Sequence, residues 1–167
     1  MRPGSPGWWA AKIRQALRHW RARVSPRERE SLVSWLTPAQ LGLFDAMHVA
    51  DRRHGLDVVA ALRQGGEEDP DVLVAGLLHD AGKGRTGMVP RVVYALGQAY
   101  GGWVEAPLRL VPGMTRALDR LRIHAETSAR LAEGAGCSPR AIDLIRWQDA
   151  PRDPDAGERL RLADEAN

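Results

Sequence analysis

The stretch Val72-Leu73-Val74-Ala75-Gly76-Leu77-Leu78-His79-Asp80-Ala81-Gly82-Lys83 passes from the most hydrophobic part of the chain into a histidine, an aspartate and a lysine. Its first seven residues are apolar on every side, so a helix made from them has to be buried. Asp69-Pro70 supplies an N-cap and a first-turn proline, and Gly82 ends the segment. The stretch therefore predicts a central helix that carries polar groups at its end. Those groups need partners, because an unpaired buried charge is costly.

Similar start signals recur along the chain. Ser25-Pro26 predicts a helix through about Trp35, Thr37-Pro38 a short one, and Ser138-Pro139 one through Trp147. Further helices are predicted over about 46–63, 91–100, 115–133 and 156–165, whereas 101–112 has no clear pattern. Strand and hairpin patterns are scarce. We therefore predict an all-α fold, a compact helical bundle with an extra N-terminal amphipathic helix.

Composition is that of an ordinary soluble domain. The 167 residues are 44% hydrophobic and 27% charged, which suits one domain with a real core. Cys137 is the only cysteine, which excludes an internal disulfide and fits a reducing compartment. No apolar run is long enough to span a membrane, and the N-terminus lacks the apolar centre of a signal peptide. We therefore expect a cytoplasmic protein.

Positive charge is concentrated in an N-terminal arm. Residues 1–24 carry six basic and no acidic residues, so the rest of this +3 chain is net negative. This asymmetry argues against a globally basic nucleic-acid binder. An apolar stripe also runs along the arm, formed by Trp9, Ile13, Leu17, Trp20 and Val24. The arm could pack on its own domain, contact a second protomer in a homodimer, or lie peripherally on an anionic membrane surface.

His79 and Asp80 are the most informative polar residues, although a local role as helix terminators is the simpler alternative. A metal ion would neutralise the carboxylate and accept the imidazole lone pair. His54 lies 25 positions earlier in an amphipathic segment, and Asp164 lies among small and apolar neighbours near the C-terminus. Lys83 supplies a cation suited to an anionic substrate, unless it is simply an exposed lysine after the helix.

His54, His79-Asp80 and Asp164 resemble the H…HD…D signature of the HD-domain superfamily of metal-dependent phosphohydrolases. His79-Asp80-Ala81-Gly82-Lys83 looks like its HD-x-G-K variant, and the resemblance covers about residues 45–166. It implies a helical bundle in which His54, His79, Asp80 and Asp164 hold one divalent ion (Mn, Fe, Mg, Zn, Co or Ni). A metal-activated water would be the nucleophile, with Asp80 orienting or deprotonating it and Lys83 offsetting phosphoryl charge. Residues 37–167 would form the HD domain and residues 1–36 a basic helical extension.

His124 is the next candidate. Two-metal members of the superfamily use an extra histidine in this region and more histidines one helix later, but Ile145-Arg146-Trp147-Gln148-Asp149 has none. We therefore predict a mononuclear site, with His124 contacting substrate or donating a proton; a surface histidine is the alternative. The chain lacks both the Glu-Asp pair of alarmone hydrolases and a GYP element, so the resemblance names no substrate.

The function expected on these grounds is cleavage of a phosphate ester in a small phosphorylated compound, with a nucleotide as one possibility. A non-catalytic HD module with a structural or regulatory metal or ligand site is the alternative. His48 lies roughly 240° around an ideal helix from His54, so we expect a structural or exposed role for it. His19 and Cys137 are not expected to be functional. Arg52, Arg53 and Arg122 could face a phosphate, although most arginines solvate a helix face.

Overall fold

A computed structural model describes residues 22–167, and every regular element within that range is helical. The α-helices are α1 (Pro26–Leu32), α2 (Pro38–Ala46), α3 (Val49–Gln64), α4 (Pro70–Leu78), α5 (Met88–Tyr100), α6 (Met114–Arg122), α7 (His124–Gly134), α8 (Pro139–Arg146) and α9 (Ala156–Ala166). Three short 3-10 helices cover Ala81–Lys83, Gly102–Val104 and Pro107–Leu110. The prediction of an all-α bundle is confirmed.

The helix starts that were predicted from capping residues are confirmed. Ser25 and Thr37 form reciprocal capping boxes with Glu28 and Gln40, and Pro26 and Pro38 follow them in the first turn. The side chain of Ser138 accepts a hydrogen bond from Ala141 N at the start of α8. These signals are local, because the cap and its partner are only three residues apart.

The single helix predicted over 115–133 is wrong, because it is divided at Ile123 into α6 and α7. The intervening sequence contains neither proline nor glycine. At the break the ring of His124 lies 2.7 Å from the Leu121 carbonyl, which a continuous helix would bond through a backbone N–H. The division therefore places a histidine at the start of α7, and that histidine faces the end of α4.

The main core surrounds α4, whose residues from Val72 to Leu78 are all buried. Helix α4 packs against α3, α8 and α9, while α7 packs on α8 and on the turn that follows α4. Gly55 permits the close crossing of α3 and α4, since a Cβ there would lie 2.4 Å from the Leu77 carbonyl oxygen. Leu32 and Leu36, which precede the boundary predicted at residue 37, are buried in the same core.

A side lobe of residues 88–122 contains α5, α6 and two of the 3-10 helices, and it has a small cluster of its own. Val93, Met114 and Leu118 are its buried members. Ion pairs to buried carboxylates support the lobe: Arg91 binds Asp51 of α3 through two hydrogen bonds of 2.6 and 2.7 Å, and the exposed Arg122 binds Glu105. Ion pairs to buried carboxylates therefore supplement a small apolar cluster in the lobe, whereas the main core has a large apolar cluster.

Residues 1–21 lie outside the described part of the chain, and with them His19 and most of the predicted amphipathic arm. A role for residues 1–24 in membrane or protomer contact stays a prediction. Within residues 22–167, no helix combines the length and the apolar character that a bilayer crossing requires.

Candidate metal centre

His79 and Asp80 lie at the end of α4 and are 1% and 2% exposed. The Nδ1 atom of His79 is 2.9 Å from the Gly76 carbonyl oxygen, to which it donates, so in the neutral ring the Nε2 lone pair is free. Neither His79 Nε2 nor Asp80 Oδ1 has a hydrogen-bond partner among the described residues. These two buried polar atoms are 3.4 Å apart, and buried polar atoms normally have hydrogen-bond partners. Their lack of partners among the described residues indicates a site for a bound ligand or ion.

His54 and Asp164 reach the same place from α3 and α9. His54 Nε2 lies 2.7 Å from Asp164 Oδ1 and 4.0 Å from Asp80 Oδ2, and Asp164 Oδ1 lies 3.4 Å from His79 Nε2. One ligand atom from each of His54, His79 and Asp164 lies within 4.8 Å of the others. The close approach of α3 to α4 at Gly55 brings the neighbouring His54 within this range.

The charges of these groups are strongly coupled. Burial raises the pKa of Asp80, but the neighbouring His79 and Lys83 cations outweigh it and hold that pKa well below its usual range. Burial also raises the pKa of Asp164, but His79 and His54 outweigh it and hold that pKa well below its usual range. Burial lowers the pKa of His79, yet Asp80 and Asp164 raise it to about 9. The site thus favours two carboxylates with positive charge between them.

Lys83 lies beside Asp80 because the chain turns in a 3-10 helix directly after α4. Its Nζ is 2.5 Å from Asp80 Oδ2, and its backbone N–H donates to the Asp80 carbonyl at 3.0 Å. Burial lowers the pKa of Lys83, but Asp80 more than compensates, so the pKa is raised and the ammonium stays charged. Lys83 therefore occupies one oxygen of Asp80 and leaves Oδ1 for another partner.

Gly82 is needed in this turn because a larger residue would clash with α7. A Cβ at Gly82 would lie 2.3 Å from the His124 carbonyl oxygen and 2.7 Å from Ser128 N. The Gly82 N–H also donates to Ser128 Oγ at 2.8 Å. The glycine therefore lets the turn dock against the backbone of α7, which fixes Lys83 and His124 relative to Asp80.

His124 is buried, which excludes the alternative of a surface histidine. Its Nδ1 donates to the Leu121 carbonyl, so Nε2 is the acceptor in the neutral ring. Nε2 lies 3.7 Å from Asp80 Oδ1. Burial and the nearby Lys83 ammonium lower the pKa of His124, which favours that neutral ring.

Gln148 is a site residue that the sequence analysis missed. Its amide nitrogen lies 3.3 Å from the His79 carbonyl oxygen and 3.4 Å from His124 Nε2, and the residue is 7% exposed. In the sequence, Gln148 stands out only as part of a segment without histidine, two residues after the end of α8. A glutamine at the end of an amphipathic helix is the one signal that was present, and it is too common to indicate a site.

The other residues singled out from the sequence have structural contacts. His48 caps α3 by accepting a hydrogen bond from Ala50 N, which confirms a structural role. Arg53 pairs with Glu28 and Asp57, and Arg122 with Glu105 and Asp119. The guanidinium of Arg52 is 3.9 Å from Asp45 Oδ1 and 6.0 Å from the centre of the Phe44 ring. Cys137 is buried, and burial raises the pKa of its thiol, so it is a poor nucleophile.

The structure thus brings the four predicted ligands together, with Lys83 and His124 both beside Asp80. Two imidazole nitrogens and two carboxylates could hold a first-row divalent metal ion, and the unpartnered atoms of His79 and Asp80 fit that use. No protein-family model, curated protein or solved structure matches the chain.

Proposed function

We propose that this chain is a metal-dependent phosphohydrolase of the HD-domain type that cleaves a phosphate ester in a small phosphorylated compound. The observation that carries the proposal is a pair of buried atoms, His79 Nε2 and Asp80 Oδ1, that have no hydrogen-bond partner in the described part of the chain and lie beside His54 and Asp164. The H…HD…D order of these residues supports the same function.

A divalent ion accounts for these atoms better than a proton does. If His79 is protonated, its charge is balanced by the two carboxylates, but Asp80 Oδ1 still lacks a well-aligned donor. A buried acceptor without a donor costs roughly 1–3 kcal/mol. His54, His79, Asp80 and Asp164 would hold the ion, and the hydrogen bond from His79 Nδ1 to the Gly76 carbonyl would keep the Nε2 lone pair available. The chemistry that a divalent ion supplies in such a site is a nucleophile available at neutral pH and polarisation of the phosphoryl group.

The chain's own residues supply positioning and charge. Lys83 places a fixed ammonium next to Asp80, where it can offset negative charge that develops on phosphoryl oxygens. Asp80 Oδ1 faces the site as an acceptor that can orient or deprotonate a water molecule. His124 presents Nε2, 3.4 Å from the Gln148 amide nitrogen, on the same side as Asp80 Oδ1. Its neutral ring can contact substrate or accept a proton there, which replaces the predicted role as a proton donor because the Nδ1 proton is held by the Leu121 carbonyl.

A screen for phosphate release tests the proposal. The full chain, supplied in turn with Mn²⁺, Fe²⁺, Mg²⁺, Zn²⁺, Co²⁺ or Ni²⁺, is incubated with nucleotides and simple phosphomonoesters, and released phosphate is measured. We expect metal-dependent turnover that Asp80→Ala abolishes together with metal retention. Lys83→Ala is expected to keep the metal and lose most of the turnover, and His48→Ala serves as the matched control.

Two results would count against the proposal. Turnover that persists in Asp80→Ala would show that the reaction occurs elsewhere or comes from a contaminant. Bound metal without turnover on any compound would favour a non-catalytic module.

A further inference from the structure

Of the arginines in the segment that follows Lys83, some form ion pairs and others do not. Residues 84–123 contain six arginines and only two acidic residues, Glu105 and Asp119. Glu105 and Asp119 both pair with Arg109 and Arg122, and Arg91 is taken by Asp51 of α3. The remaining members are Arg85, Arg116 and Arg120, which we call the arginine rim; none of them has an ion pair or hydrogen bond within residues 22–167.

The arginine rim lies next to the turn that carries Lys83. The side chain of Arg120 covers Gly84, with Cδ and Nη1 3.5 and 3.7 Å from the position that a Cβ would occupy there. Arg85 follows Gly84 directly, and Arg116 lies one turn before Arg120 on the same face of α6. Four residues after Arg120 comes His124, whose ring faces Asp80. Arg120 and Arg85 therefore lie beside the turn that carries Lys83, and Arg116 extends the rim along α6.

A helix-terminal role does not explain this grouping. Basic residues in the last turn of α6 stabilise the carbonyl end of that helix, and this accounts for Arg120 and Arg122. It does not account for Arg116 in the first turn or for Arg85 in the preceding loop. Three exposed guanidinium groups that lack partners within residues 22–167 lie on a chain segment of net charge +4, which favours the binding of an anion there.

We propose that the arginine rim is a subsite for a second anionic group of the substrate, so that the preferred substrate carries two or more phosphates. This inference rests on the proposed function, in which the reacting phosphate lies at the metal centre beside Lys83. Guanidinium groups bind phosphate oxygens in a bidentate manner, which suits the non-reacting phosphates of a nucleoside diphosphate or triphosphate. The rim thus selects polyphosphates over monophosphates through binding energy remote from the reacting bond.

Calorimetric binding of two inorganic probes tests the rim without knowledge of the organic part of the substrate. The full chain is titrated with tripolyphosphate and with orthophosphate in excess Mg²⁺, so that chelation is the same for every variant. The test variant is Arg116→Gln/Arg120→Gln. The control is Arg23→Gln/Arg27→Gln, which also removes two exposed arginines four residues apart in the region of α1, neither of which has an ion pair or hydrogen bond within residues 22–167.

We expect the wild type to bind tripolyphosphate at least about tenfold more tightly than orthophosphate, since the additional phosphates form charged hydrogen bonds with the arginine rim. The test variant should lose about tenfold in tripolyphosphate affinity and less than about twofold in orthophosphate affinity. The control should keep both values.

Three results would overturn the inference: a wild type that does not discriminate between the probes, a test variant with wild-type affinity, or an equal loss in the control. Metal content measured on the same samples reports separately on the proposed function. A chain that holds its metal but fails the probe comparison refutes the rim alone, and a chain without metal refutes the hydrolase.

Discussion

The main core and the side lobe are stabilised by different interactions. Around α4, side chains such as Leu77, Leu78 and Leu160 are almost completely buried and form one continuous apolar cluster. The side lobe's own apolar cluster has three buried members. The lobe also relies on the buried carboxylates of Asp51 and Glu105, which Arg91 and Arg122 bind. Apolar packing is rigid because interiors are close-packed, which suits residues that must converge on one ion. The side lobe carries Arg116 and Arg120 of the proposed anion subsite.

Matched leucine truncations should separate the two regions most clearly. Leu78→Ala in the main core should cost about 3–5 kcal/mol of unfolding free energy, and Leu118→Ala in the side lobe about 2–3 kcal/mol, because a small cluster near the surface relaxes more fully. Leu118→Ala should keep its metal. Denaturant titration and metal analysis measure both, with half-exposed Leu162→Ala as a nearly neutral control. Equal losses, or loss of metal in Leu118→Ala, would contradict the division.

The contact between the turn after α4 and α7 can be broken at Gly82. Gly82→Ala should destabilise the fold by about 1–3 kcal/mol, because the added methyl meets backbone atoms that cannot rotate away. Gly134→Ala is the control, since that helical glycine has nothing within 4 Å of an added Cβ. It should be neutral or stabilising by up to about 1 kcal/mol. Thermal or denaturant unfolding measures the stability of both variants. A Gly82→Ala protein as stable as the wild type would refute this close packing.

Metal affinity should rise with pH below about 9. Asp80 and Asp164 raise the pKa of His79 to about 9, so at neutral pH a metal ion has to displace a proton from its ring. Binding that releases one proton strengthens about tenfold for each pH unit until the ring titrates. Calorimetry at pH 6, 7 and 8 in buffers of different ionisation enthalpy measures both the affinity and the proton release. An affinity that does not change with pH would show that His79 is not a ligand.

A smaller effect is expected where α1 joins α3 through Glu28 and Arg53. The hydrogen bond from Arg53, followed by those from Ser25, lowers the pKa of Glu28 to about 2. A carboxyl with a depressed folded pKa adds stability above its ordinary pKa of 4.5 and loses it as pH falls toward 2. This partly exposed pair should contribute less than about 1 kcal/mol. Glu28→Gln should therefore flatten the stability profile between pH 5 and 3, and an unchanged slope would refute the contribution.

Local signals explain which parts of the fold were predictable. Ser25, Thr37 and Ser138 announce helix starts because each cap binds its own first turn. The break at Ile123 has no local signal, since it arises where the turn after α4 packs against α7 and where His124 takes the Leu121 carbonyl. The division of a helix by tertiary contacts has no signal in the local sequence.

The candidate site divides in the same way. The positions of His54, His79, Asp80 and Asp164 followed from a motif, and the structure brings them together. Gln148 could not be found because its contacts to His79 and His124 are tertiary. The arginines without partners could not be found either, because pairing depends on the fold as well as on acidic residues nearby in sequence. Arg53 and Arg122 were singled out and are paired, whereas Arg116 and Arg120 were not and are free within the described residues.

Crystals of the full chain soaked with Mn²⁺, and measured where manganese scatters anomalously, test the central claim most directly. We predict one anomalous peak within bonding distance of His54 Nε2, His79 Nε2, Asp80 and Asp164, with Lys83 still beside Asp80. A map with no peak at these residues, or with the only peak on the protein surface, would contradict the account.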